Sequence, residues 1–398
     1  MGLKVILHSN APWVTSGYGT QGYQLAKRMQ KMPEVEQLSY SCFYGLHGGI
    51  VEYDGIICIP PRAGDWGNNC LQLHSYHTNS DVVIGLQDTW VLRQDIAQLG
   101  FLWCPWVPID HDPLPDMIHA RVSTAYMAIA MAKFGEHLML ESGMKNVRYA
   151  PHAIDTKQYK PHSEAVNKVT RKKLGFPEDI FLIGIVAANK GYPARKNWPQ
   201  LLEALSVFFN MHKDAYLYAH TLTTTEDQGV DLIGMIQRWG MGDRILFPNP
   251  YLYLQGFPAE TMSEIYSCMD VFVLPTGGGG FEIPLIEAQA CGTPVVTMNF
   301  TAMPELVAPG TGGLIRPGYK WYTPLYSYQA LPNIDDIIAN MEHFYQMNKK
   351  ERKRQSKAVR EFVVANYDAD YVANKYWHPI IQELDEATQK RKLKLAAV

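Results

Sequence analysis

Leu274-Pro275-Thr276-Gly277-Gly278-Gly279-Gly280-Phe281-Glu282-Ile283-Pro284-Leu285-Ile286-Glu287-Ala288-Gln289-Ala290-Cys291-Gly292-Thr293-Pro294 decides how this chain reads. It runs from an apolar strand end through four glycines into a helical pattern at Pro284. Four successive glycines pack no side chains and cost conformational entropy, so bare backbone is needed there. The helix beyond them offers free N–H groups to an anion. Glu282 is placed in the loop and Glu287 in the first turns of the helix. Pro304-Glu305 and Gly310 to Gly313 continue a loop-rich surface at strand ends.

The same strand–loop–helix rhythm extends in both directions. Phe181 to Ala187, Ala215 to Ala219, Ile245 to Phe247, Val271 to Leu274 and Pro294 to Met298 read as strands. Helical patterns at Trp198 to Met211, Gly229 to Trp239, Ala259 to Met269 and Pro284 to Cys291 separate them. An earlier series has strands at Lys4 to His8, Val82 to Leu86, Leu102 to Ile109 and Tyr126 to Met131, with a helix at Thr20 to Met32. Most strands are apolar on both faces, the pattern of a parallel sheet covered by helices. The reading is α/β, with two doubly wound domains in tandem and a junction near Pro151 to Lys173. Residues 1–160 form the first domain and 161–373 the second. Ile334 to Tyr367 reads as one helix with a basic, solvated face. A last helix at about 374–398 is placed as packing back on the first domain.

The chain has 398 residues, enough for two domains. Lys plus Arg number 36 against 39 Asp plus Glu, a formal charge of −3, which argues against a protein that coats nucleic acid. Residues 1–160 hold 12 Lys plus Arg and 14 Asp plus Glu, so no basic field marks a groove there. The apolar runs are of strand length, so no membrane span is expected. Neither a signal-peptide pattern nor paired cysteines at metal or redox spacing are found, and a cytoplasmic protein with buried reduced thiols is expected.

Three further strand ends carry chemistry. His8-Ser9-Asn10 leads through Trp13 and Ser16-Gly17-Tyr18-Gly19 into a helix, and Gly17 and Gly19 would let backbone approach a ligand. This is an ordinary glycine-rich turn or a phosphate loop. Pro108-Ile109-Asp110-His111-Asp112-Pro113 flanks His111 with two carboxylates, which hold its tautomer and raise its basicity. The D-x-D string there fits a metal site, but a polar cluster facing a cleft is the better reading. Ala188-Asn189-Lys190-Gly191-Tyr192-Pro193-Ala194-Arg195-Lys196-Asn197 puts three cations beside a helix start, which suits a diphosphate.

Together these residues resemble the retaining nucleotide-sugar glycosyltransferases of family 4 (glycosyltransferase group 1), which have the GT-B fold. Gly280-Phe281, Ile283-Pro284-Leu285 and Ile286-Glu287-Ala288 follow the family's E-G-F-G-x-P-x-x-E-A segment. Tyr149-Ala150-Pro151-His152-Ala153-Ile154-Asp155, with Tyr159 and Pro161, follows its interdomain V-P-x-G-V-D-x-x-x-F-x-P. Pro304-Glu305-Leu306-Val307 through Gly313-Leu314 follows a third stretch. The opening Ser9 to Gln21 and the Val107 to Pro113 segment are similar to a branch common in phage genomes.

The resemblance implies two Rossmann-like domains facing each other across a cleft, with the first supplying the acceptor surface and the second binding a UDP- or GDP-type nucleoside diphosphate sugar. Lys196, with Lys190 in place of the family's arginine, would neutralise the diphosphate, and Glu287 would hold the ribose. Gly279, Gly280, Phe281, Glu282 and Ile283 would surround the sugar, His111 would contact it, and Gly17 and Gly19 would approach the phosphates. The catalytic set is His111, Lys190, Lys196 and Glu282. The expected reaction is transfer of a hexosyl or pentosyl group to a hydroxyl with retention, without cofactor or metal. The phage-like segments suggest a hydroxymethylated DNA base as acceptor, in a host cytoplasm. A protein or glycan acceptor, a GT-B epimerase or phosphorylase, and a non-catalytic nucleotide-sugar binder stay open. Two departures stand out. Gly279 replaces the family's first glutamate, for which Glu282 is the candidate substitute. Lysine replaces arginine one position off, without the bidentate fork.

Overall fold

The computed structural model describes residues 2–62, 64–191, 193–225 and 228–396. They divide into two compact units, one of Met1–Ile109, Pro113–Ala153 and Ala369–Val398, the other of Asp110–Asp112 and Ile154–Asp368.

The first unit is built on an eight-stranded sheet. Its strands are β1 (Leu3–Asn10), β2 (Val35–Tyr44), β3 (Val51–Tyr53), β4 (Ile56–Ile59), β5 (Val82–Leu86), β6 (Leu102–Val107), β7 (Ala128–Ala130) and β8 (Val147–Tyr149). Their order is β3-β4-β2-β1-β5-β6-β7-β8, parallel except for β3 against β4. Helices α1 (Gly17–Met29), α2 (Leu71–His77), α3 (Asp116–Val122) and α4 (Lys133–Glu141) accompany it. β1 pairs with β2 on one side and β5 on the other, so the strand order reverses there and opens a crevice at the carboxyl ends.

The second unit holds a six-stranded parallel sheet. β9 (Phe181–Val186), β10 (Ala215–His220), β11 (Ile245–Leu246), β12 (Val271–Leu274), β13 (Val295–Met298) and β14 (Gly313–Ile315) lie in the order β11-β10-β9-β12-β13-β14. The reversal falls between β9 and β12. An antiparallel hairpin, β15 (Pro317–Tyr322) and β16 (Tyr328–Pro332), follows β14. The helices are α5 (Glu164–Lys173), α6 (Trp198–Met211), α7 (Leu232–Arg238), α8 (Pro250–Gln255), α9 (Ala259–Ser267), α10 (Ile283–Ala290), α11 (Ile334–Tyr345) and α12 (Lys349–Tyr367). Leu182, Ile183, Phe208, Phe272 and Leu285 are fully buried in its core, which anchors the strand ends. The chain then returns to the first unit through α13 (Ala369–Val372), a π-helical turn at Ala373–Trp377 and α14 (His378–Ala396). There Trp377 packs edge-on against Trp106 of β6, centroids 4.8 Å apart.

Several local expectations need correction. The single helix over Ile334 to Tyr367 is two helices. Asn348 caps the N–H groups of Lys350 and Glu351, and Glu351 reaches back to the Asn348 N–H, a capping box that starts a new helix. α1 starts at Gly17 rather than Thr20, because the Ser16 hydroxyl accepts from the Gly19 N–H. β2 adds a strand that no continuous apolar run announces, because its buried Ser39 and Ser41 interrupt the pattern. Asp110–Asp112 belongs to the second unit although the strand before it belongs to the first. The backbones of Asp112 and Tyr328 bond reciprocally at 3.2 and 3.3 Å, which draws this segment onto the hairpin. All six cysteines are buried and unbridged. Among the described residues, no helix is long and apolar enough to cross a membrane.

Candidate active site of the second unit

Two loops leave the sheet at its reversal, residues 187–197 after β9 and 275–282 after β12. Asn197 joins them. It sits in the left-handed region at φ 53°, which asparagine tolerates, and its side-chain amide donates to the Pro275 carbonyl at 2.7 Å and to Ala330 at 3.2 Å. The backbone adds two bonds of 2.7 Å, Gly277 N–H to Arg195 O and Ala330 N–H to Gly277 O. Asn189 ties the first loop to Val230, bonding both its N–H and its C=O.

These constraints set Lys190, Arg195 and Lys196 around one cavity of about 600 Å³, lined also by Ala188, Gly191, Pro193 and Gln228. That is the size of a nucleotide-scale ligand site. Tyr192, quoted in this loop, lies outside the described residues. Lys190 is exposed, whereas Lys196 is largely covered. The Lys196 ammonium bonds both oxygens of the buried Glu282 carboxylate at 2.6 Å. Arg195 lies 3.4 Å from the same carboxylate, and the Thr276 hydroxyl donates to it at 3.4 Å. Burial lowers the Lys196 pKa to about 8, outweighing the pull of Glu282 in the other direction.

The glycines have structural reasons. A Cβ at Gly277 would stand 2.4 Å from the Ala330 carbonyl, and one at Gly278 would stand 2.2 Å from the Asp110 carbonyl. At Gly279 it would meet the Glu282 carboxylate oxygen at 2.6 Å. Glu282, the N-cap of α10, therefore folds back over the space a side chain at 279 would occupy. Gly280 is buried, and the half-buried Phe281 packs edge-on against Tyr367 at 5.8 Å. Ile283 opens α10, and Glu287 sits one turn on, half-buried. The Tyr266 hydroxyl donates to Glu287 at 2.8 Å. Burial raises the Glu287 pKa, while Tyr266 and Tyr159 hydrogen bonds pull it down.

His111 is buried, with Nδ1 2.6 Å from the Asp110 carboxylate. If Nδ1 carries the proton for that bond, Nε2 is left as an acceptor. The Asp110 pKa is lowered; burial opposes this, but the His111 hydrogen bond and the nearby Arg195 charge prevail. Asp112 pairs with Lys320 of the hairpin at 3.1 Å.

Superposed on solved structures, the whole chain aligns with the whole of sucrose-phosphate synthase from Thermosynechococcus elongatus, TM-score 0.73 at 16% identity. It aligns equally completely with Anabaena Alr3699/HepE in complex with UDP and glucose, TM-score 0.68 at 14% identity. The fold is GT-B. Residues 235–320, inside the second unit, match the family described as Glycosyl transferases group 1. Two curated relatives align over part of the chain. D-inositol 3-phosphate glycosyltransferase of Corynebacterium jeikeium is 26% identical over 174 residues, 44% of this chain and 40% of the relative. GDP-mannose-dependent monoacylated alpha-(1-6)-phosphatidylinositol monomannoside mannosyltransferase of Corynebacterium glutamicum is 27% identical over 200 residues, 46% of this chain and 44% of the relative. The matched stretch thus spans less than half the length of either relative.

Within this GT-B fold, the second unit brings Lys190, Lys196 and Glu282 to one strand edge, and His111 shares that unit. Gly17 and Gly19 belong to the first unit, where Gly17 is the exposed first residue of α1. Gly19 is buried, and a Cβ there would stand 2.2 Å from the Val14 carbonyl. The path of the loop itself therefore demands glycine at 19. Asp110 holds the His111 ring, as expected of a flanking carboxylate, and Arg195 joins the cluster although it is not among the expected catalytic residues. Asn197, Thr276 and Tyr266 act as supports that the sequence does not announce as such. Of these three supports, Asn197 has a local signal, standing just before the Trp198-Pro199 helix start.

Proposed function

We propose that this chain transfers a sugar from a nucleoside diphosphate donor, of UDP or GDP type, to a hydroxyl acceptor. The observation that carries this reading is the cavity edged by Lys190, Arg195 and Lys196 at the reversal of the second sheet. The group 1 family match and the UDP and glucose bound by HepE support the donor class, and the GDP-mannose-dependent relative keeps the base open. Lys196, Arg195 and Lys190 hold the diphosphate, and Glu287 holds the ribose hydroxyls. Glu282 takes the role of a carboxylate from position 279 and reads the sugar hydroxyls, with His111 as a second contact. Gly279, Gly280, Phe281 and Ile283 frame the sugar.

The chemistry proceeds with retention. The bond from the anomeric carbon to the diphosphate oxygen breaks, and the acceptor oxygen bonds the same face of that carbon. The acceptor proton passes to the departing diphosphate. Charge grows on the leaving group, where prepositioned cations stabilise it without reorganisation. They supply the positive charge a metal would otherwise bring, so the reaction is metal-independent.

The test is thermal shift with UDP, GDP, ADP, CDP and dTDP, with and without a chelator. A ligand that binds only the folded state adds ~2.7 kcal/mol at a hundredfold excess over its Kd. One nucleotide should stabilise the protein, with or without chelator. No shift with any nucleotide or its sugar donor overturns the reading.

A further inference from the structure

The hairpin after β14 carries tyrosines that no part of the donor site uses. Tyr322 and Tyr328 are direct cross-strand partners, their rings 5.1 Å apart, and Tyr326 in the turn lies 6.3 Å from Tyr322. The three are 57%, 40% and 66% exposed for Tyr322, Tyr328 and Tyr326. Tyr326 adopts φ 58°, a left-handed conformation that a bulky side chain takes only at a cost in strain. Such strain persists where the surroundings hold it and clusters at ligand sites. Here the Thr323 N–H to Ser327 O bond of 2.8 Å and the Tyr326 N–H to Thr323 O bond of 3.0 Å close the turn.

The platform is continuous with the candidate active site. Tyr328 bonds the backbone of Asp112, the residue after His111, and Ala330, two residues on, bonds Gly277 and Asn197. Its charge is balanced. The only ionisable cations over 316–332 are Arg316, paired with Asp336 at 2.7 Å, and Lys320, paired with Asp112. A nucleic-acid strand needs unpaired cations for its phosphates. A neutral pyranose does not. One of its faces is a set of C–H bonds that packs on aromatic rings, and its hydroxyls suit phenol oxygens.

We propose that Tyr322, Tyr326 and Tyr328, in the second unit rather than the first domain that the resemblance implies, form the acceptor platform, and that the acceptor is a neutral saccharide or glycoside. This rests on the transferase reading above. The assay uses the full chain, the donor whose nucleotide gives the thermal shift, and methyl glycosides of glucose, galactose, mannose and N-acetylglucosamine. Single-stranded and hydroxymethylcytosine DNA form a parallel arm. At least one glycoside should gain the sugar. Tyr326→Gly, which also relieves the strained backbone, and Tyr322→Ala should each raise its KM tenfold or more with kcat within threefold. Nucleotide affinity, measured in the same variants, reports folding. Transfer to DNA alone, no transfer to any glycoside, or an unchanged glycoside KM in folded variants overturns the platform while leaving the donor reading intact. Loss of nucleotide binding in the wild-type chain instead removes the donor reading, and the platform with it.

Discussion

Lys196 is the residue on which the proposed donor site turns. It is covered, it bonds both oxygens of Glu282, and it faces the cavity. Lys196→Ala and Glu287→Ala should each reduce donor affinity or turnover at least tenfold, since each removes a charge-assisted contact of roughly 1.5–3 kcal/mol. Wild-type kinetics in both would misplace the donor site. The lowered Lys196 pKa makes a pH prediction of definite sign. The free protein loses this proton near 8, against 10.5 for an ordinary lysine. Binding of the diphosphate favours the protonated form, so affinity should be level below about 8 and fall up to tenfold per unit above it. The stability contribution runs oppositely. Burial penalises the charged form, so this group stabilises the folded state more as pH rises from about 8 towards 10.5. Titrations of nucleoside diphosphate affinity against pH should show the fall in wild type and a flat profile in Lys196→Arg. Glu282→Ala should abolish discrimination between donor sugars while the free nucleoside diphosphate still binds. Unchanged discrimination, measured by competing sugar donors, would remove Glu282 from sugar recognition.

At the scale of elements, the site is a joint between two loops rather than one motif. Asn197 and the backbone bonds of Gly277 hold the loops after β9 and β12 together. The glycine run was legible as a place needing bare backbone, and the reversal of strand order made its position productive. The partners that need the bare backbone were not legible. Asp110, Ala330 and Glu282 press on Gly278, Gly277 and Gly279, and two of the three come from distant segments. The basic helix shows the complementary case. Its break at Asn348 follows from a local signal, an asparagine with glutamate three residues later, that a continuous helical pattern concealed. Asn348→Ala should cost about 1 kcal/mol in denaturant unfolding and leave nucleotide affinity unchanged. An altered nucleotide affinity would mean that α12 reaches the donor site.

Across the whole molecule, the chain crosses between its two units more than once. Asp110–Asp112 joins the second, and Ala369–Val398 returns to the first. The returning segment is bound by Arg28 to Asp370 at 2.8 Å, Arg148 to Glu383 at 2.7 Å and Trp377 against Trp106. Trp377 is 1% exposed, so Trp377→Ala should lower stability by roughly 3–5 kcal/mol. A loss below about 1 kcal/mol in chemical denaturation would mean that the first unit does not depend on the returning segment. Two parallel α/β units, with cations, glycines and acids at their strand ends, can be read from the order of residues alone. Apolar runs, helix periodicity and turn residues act over a few positions, so they can be read locally. Which of those groups meet is set by the folded chain. Lys196 and Glu282 lie 86 residues apart and Lys320 and Asp112 lie 208 apart. The hairpin that carries the tyrosines is likewise set on Asp112 by backbone bonds. Contacts at such separations leave no local pattern, because each partner is chosen by the packing of the sheet between them.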